Sequence, residues 1–88
     1  MDKNYQKYKE QKYNAKQRGI AFELSFDEWL AVWTESGKLK RRGINKYQYV
    51  MSRFNDAGPY KIGNVEIITF SKNAKIRAAI KNKKAGGA

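Results

Sequence analysis

The residue types that do most enzyme chemistry are missing from this chain of 88 residues. It has no histidine and no cysteine. The commonest general base, the commonest transition-metal ligand, thiolate nucleophiles, zinc–thiolate sites and disulfides are therefore excluded. Any metal would need oxygen ligands, which means Mg²⁺-like chemistry. Carboxylates to supply them are few, since beyond residue 35 the only acids are Asp56 and Glu66. Cations are plentiful. Nineteen Lys and Arg against eight Asp and Glu leave a formal charge of +11. Such a charge suits a polyanion such as DNA or RNA, and less often an anionic membrane or an acidic protein surface.

The cations are not evenly spread. Residues 1–37 hold six basic and six acidic side chains and are neutral as a segment. Residues 38–88 hold thirteen basic side chains against Asp56 and Glu66, so the whole +11 lies there. Solubility alone favours interspersed charges. A one-sided distribution reads as an electrostatic footprint, with a solvated face as the plain alternative. Two groups stand out as candidate phosphate contacts. One is Lys38, Lys40, Arg41 and Arg42, beside Gly43; the other is Lys72, Lys75, Arg77 and Lys81.

These groups need elements to position them. A basic, polar chain can be disordered. An aromatic content of 14% argues for a folded one, with Trp29, Trp33 and the tyrosines as core material. The length fits one domain with a thin core. Residues 3–18 read as a first helix, with Tyr5 and Tyr8 three apart, Tyr13 further on, and Arg18-Gly19 as its end. Residues 20–24 alternate and read as a short extended connector or strand. Ser25 and Glu28 form a capping box. The helix after it carries Phe26, Trp29, Leu30 and Trp33 on one face and stops at Gly37. The two tryptophans are assigned to the core rather than to base stacking.

Residues 38–46 form a basic connector. Residues 47–54 are β-prone, residues 55–63 are turn-rich with Gly58, Pro59 and Gly63, and residues 65–69 make a second strand. Ser71 is placed to cap a third helix over about 72–82, with Ala74, Ile76, Ala79 and Ile80 for packing. Residues 83–88 read as a tail. The expected fold is α+β. It is a compact ββα unit over 47–82 (a two-stranded hairpin and a basic helix) preceded by two helices over 1–37, all in one domain over 1–82. No apolar run is long enough for a signal peptide or a membrane span, so the expected setting is cytoplasmic.

The stretch Tyr49 to Ala74 carries a resemblance. Arg53–Asp56, Gly58-Pro59-Tyr60, and Gly63-Asn64-Val65 followed by Ile67 are similar to the HNH, or ββα-metal, nucleases, in the version found among small phage-encoded proteins. The similarity extends upstream through Arg18-Gly19-Ile20, the Phe26–Trp33 helix and the basic connector. In that family the first strand ends in an acidic residue and a histidine that activates water. A central Asn braces the loop, and a His or Asn on the helix completes the metal site. Asn64 matches the central position and Asn73 the helix position. The first-strand pair falls at Ser52 and Arg53, where the pattern fails: neither is a good metal ligand, and an arginine stays protonated.

What the resemblance implies therefore divides. A ββα unit without its catalytic pair still presents a basic helix and connector to DNA, or to RNA, with little sequence specificity. The alternative is a divergent endonuclease in which Arg53, Asp56 and Asn64 serve catalysis and Asp56 with Asn73 holds Mg²⁺ or Mn²⁺. Each of these residues also has an ordinary structural use: Asp56 capping its turn or paired with Arg53, Asn64 bracing the hairpin, Asn73 on a helix surface. A third reading is a phage inhibitor that docks on a host protein, in which case the cytoplasm is that of an infected bacterium. A homodimer through the hairpin is also compatible with so small a domain.

Overall fold

The computed structural model describes residues 3–86, with side chains through Lys81. It is a small α+β arrangement. Two helices, α1 (Lys3–Gln17) and α2 (Phe26–Ser36), precede an antiparallel hairpin of β1 (Tyr49–Arg53) and β2 (Val65–Thr69), and α3 (Phe70–Gly86) follows. Short 3-10 turns cover Leu39–Arg41 and Phe54–Asp56.

The capping box at α2 forms as its sequence implies. The Glu28 backbone N–H donates to Ser25 Oγ at 3.1 Å, and the Ser25 N–H donates to Glu28 Oε1 at 2.9 Å. Two otherwise orphaned donors are satisfied reciprocally. Gly37 closes the helix with φ +73°, a left-handed conformation that costs a glycine little. Trp29 and Trp33, one turn apart, are buried.

Helix α1 buries Tyr8 and Ala15. The Tyr8 ring meets Phe22, Phe26 and Trp29 edge-on at centroid distances of 5.5 to 5.9 Å. Its hydroxyl donates to the Leu24 carbonyl at 2.7 Å. Between Tyr8 and Ala15, Gln11 accepts from Trp29 Nε1 at 2.8 Å. Tyr13, grouped with the other tyrosines by spacing, is exposed instead. Residues 20–24 are an extended connector touching the later chain. Tyr60 N–H donates to Ala21 O, and Glu23 N–H to Tyr60 O.

The hairpin lies between the two helical layers. Side chains alternate across a strand. Tyr49, Met51, Val65 and Ile67 join the α1–α2 core. Val50, Ser52, Glu66 and Ile68 take the opposite face, toward α3, where Ser52 bonds Asn73. Two expectations about α3 are corrected. Its cap is Thr69, whose Oγ1 accepts from the Lys72 N–H at 3.1 Å, rather than Ser71. The Ser71 and Phe70 N–H groups donate to Lys46 O and Gln48 O, so the strand pairing runs directly into the helix start. The helix also passes Asn82 and continues to Gly86. Lys83, Lys84 and Ala85 are good helix formers, and no glycine intervenes before Gly86. The remainder of the expected tail, residues 87–88, lies outside the described residues. Among the described residues no helix is long and apolar enough to cross a membrane.

Candidate nucleic-acid interface

Four of the residues singled out by sequence meet at one end of the hairpin. Arg53 ends β1, and the 3-10 turn after it turns the chain sharply, with Asn55 and Asp56 at φ +56° and +52°. Asn and Asp enter this left-handed region more readily than most side chains. The turn brings Asp56 back onto Arg53, whose Nη2 donates to Asp56 Oδ1 at 3.1 Å. Arg53 Nη1 donates to Gly58 O at 2.7 Å, and its guanidinium lies over the Tyr60 ring at 5.4 Å. Its Nε is buried with no acceptor among the described residues.

Helix α3 closes the site from the other side. Asn73, Ile76, Arg77 and Ile80 share a face at three- and four-residue spacing. Arg77 Nε stands 3.6 Å from Asp56 Oδ2. Asn73 Oδ1 accepts from Ser52 Oγ at 2.9 Å, which turns its Nδ2 donors away from Ser52. Asn64 takes no part in this contact. Its Nδ2 donates to Ala57 O at 2.9 Å and Pro59 O at 2.8 Å, which ties the loop between the strands together.

This geometry suits an anion better than a cation. The Asp56 carboxylate already has two guanidinium partners. At the effective dielectric of a protein surface, each unit charge about 4 Å away contributes on the order of 4 kcal/mol per unit of incoming charge. One carboxylate beside two arginines leaves these three side chains with a formal charge of +1. No cluster of three or more metal-ligating His, Cys, Asp or Glu occurs among the described residues. What the site offers outward is donors: the remaining N–H groups of Arg77 and the Asn73 amide. Arg77 is half exposed, while the Arg53 side chain is 8% exposed.

The two basic groups are placed differently from each other. In the connector, Lys40 and Arg41 are exposed. Lys38 Nζ and the Arg41 guanidinium lie over the Tyr49 ring, at 5.0 and 5.7 Å. Arg42 turns inward. Its Nε donates to Leu39 O at 3.1 Å and its Nη2 to Asn4 Oδ1 at 3.0 Å. Its guanidinium sits 5.5 and 5.7 Å from the Trp29 and Trp33 rings. Burial lowers its pKa from the ordinary value, although arginine keeps its proton in any case. Arg42 thus holds the connector on the helical layer instead of standing with Lys40 and Arg41.

On α3, Lys72, Lys75, Arg77 and Lys81 are all exposed. Lys72 and Lys75 lie on one flank of the face that meets the hairpin; Arg77 and Lys81 lie on the other. The first three N–H groups of α3 bond Gln48, Lys46 and Thr69, so this helix start has spent the donors that would otherwise attract an anion. The same bonds set Lys46 beside Ser71. Sequence reasoning placed Lys46 in the connector but did not select it, because pairing between residues 46 and 71 has no local signal.

No family model, curated protein or solved structure matches the chain.

Proposed function

We propose that this chain is a small HNH-like, phage-type protein that binds DNA through its phosphates without cleaving it. The observation that carries the reading is Asp56 held between Arg53 and Arg77, at the place where the resembled nucleases keep base and metal. A strand–strand–helix order, a loop braced by Asn64, and Asn73 against the end of β1 support the likeness. In place of metal ligands stand fixed cations and amide donors, the chemistry that holds a phosphate oxygen. The connector, beside Tyr49 at the other end of β1, and α3 carry further exposed cations. Phosphate contact of this kind gives affinity without strong sequence preference.

The test is fluorescence anisotropy with a labelled duplex across 50 to 200 mM salt, beside a plasmid incubation with Mg²⁺ and with Mn²⁺. Binding that weakens steeply with salt, together with uncut plasmid, is the expected result. Affinity that ignores salt would remove the electrostatic basis. Metal-dependent cutting that Asp56→Ala abolishes would replace this reading with the nuclease one.

A further inference from the structure

We propose that the tip of the basic connector, residues 44–47, is an apolar wedge that inserts Ile44 and Tyr47 between base pairs of duplex DNA. The inference rests on the DNA-binding reading and goes beyond it, because phosphate contact requires no apolar tip. Ile44 is 76% exposed and Tyr47 73%, more than any other large hydrophobic side chain among the described residues. A single exposed apolar side chain on a protein surface needs no explanation. Two of them within four residues, in a domain with so thin a core, do.

The turn is also tied by hydrogen bonds within itself and to its neighbours. Gln48 N–H donates to Asn45 O at 2.9 Å, closing a four-residue turn with Lys46 and Tyr47 at its corners. The Gln48 side chain folds back to accept from Asn45 N–H at 3.0 Å. Gly43 makes this possible, since a Cβ there would collide with the Gln48 amide. One side of the loop is pinned by Gly43 N–H to Tyr49 O, and the other by Ser71 N–H to Lys46 O. With this backbone bonded on both sides, Ile44 and Tyr47 stand exposed.

The surroundings specify the occupant. Lys46 lies within the turn, Lys40 and Arg41 precede it in sequence, and no acid occurs between Glu35 and Asp56. The Lys46 Nζ lies 5.5 Å from the Tyr47 ring centroid, pairing a phosphate-seeking group with a stacking one. Two exposed apolar side chains with a cation against one of them, in a segment free of acids, fit a ligand that is anionic outside and apolar between its layers. A base-paired stack has this form, and insertion of Ile-like wedges with flanking cations is a known way to bend it.

The experiment uses the full chain and a duplex carrying 2-aminopurine, whose fluorescence rises when it is unstacked. Wild type should raise the signal on binding. The double substitution Ile44→Ser with Tyr47→Ser should bind at least tenfold more weakly, keep the same salt slope, and leave the signal flat. Both side chains are exposed, so an unchanged melting temperature should confirm that the variant folds. Equal affinity and equal signal from the variant would overturn the wedge while leaving DNA binding in place. A wild-type dimer in sedimentation that the double substitution converts to monomer would also overturn it, by assigning the tip to self-association. No salt-dependent binding by wild type would overturn the wedge and the reading beneath it together.

Discussion

Asp56 is the residue on which binding and cleavage make opposite demands. As a metal ligand its charge would be indispensable. As a counter-ion to Arg53 and Arg77 it costs the surface one unit of positive potential while keeping a buried guanidinium paired. Asp56→Asn separates these roles, because asparagine tolerates the same left-handed backbone. The expected stability loss is about 1 kcal/mol by chemical denaturation, since Arg53 keeps Gly58 O and an amide oxygen at position 56 as acceptors but loses the charge opposite its guanidinium. Affinity for a duplex should tighten at the same time, with Arg77 released and the net charge raised by one. A variant that binds DNA more weakly at unchanged stability would contradict the arrangement. At this scale the sequence is a fair guide. The Arg53–Asp56 spacing made an ion pair foreseeable, and Asn64 braces its loop as one of its two expected uses. Arg42 was not legible, because nothing among four neighbouring cations says which one will turn onto tryptophans from another helix.

At the scale of elements, local signals and the hairpin pairing were read well, and contacts between the hairpin and the helices were not. The α2 boundaries follow from Ser25, Glu28 and Gly37, whose caps are made within a few residues. The start of α3 depends on the carbonyls of Lys46 and Gln48, just ahead of β1 and more than twenty residues away, so Ser71 looked like the cap while Thr69 does the capping. The joint between α1 and α2 is similar: Tyr8 meets Leu24 and Phe26 through contacts that helix spacing alone does not specify. That joint predicts a pH dependence. Burial, with smaller effects from Tyr5 and Glu28, raises the Tyr8 pKa above the ordinary phenol value of about 10. The folded state therefore holds the phenolic proton more tightly than the unfolded one. The resulting stability is complete below about pH 10 and is lost as pH rises through the folded value. Tyr8→Phe should cost about 1 kcal/mol at neutral pH by losing the hydrogen bond to Leu24 O. It should also flatten the alkaline decline seen in thermal melts of wild type. If the two proteins decline in parallel above pH 10, Tyr8 is not the group responsible.

Across the whole molecule, composition indicated the sign of the surface but not its layout. The net positive charge lies late in the sequence, yet the fold uses the cations there in two ways. Arg42 and Arg53 are turned toward aromatic rings and carbonyls, where they hold layers together. Lys38, Lys40, Arg41, Lys72, Lys75, Arg77 and Lys81 remain for a ligand. If all seven meet phosphates, log K against log salt should have a slope of about −6. The division itself is testable with two single substitutions that remove the same formal charge. Lys40→Gln should shallow the slope by about 1 and leave the melting temperature unchanged. Arg42→Gln should keep the slope and lower the melting temperature, because it removes the bonds to Leu39 O and Asn4 Oδ1 and the packing on Trp29 and Trp33. Equal effects of the two on slope would mean that net charge alone governs binding and that the fold's sorting of its cations has no consequence for the ligand.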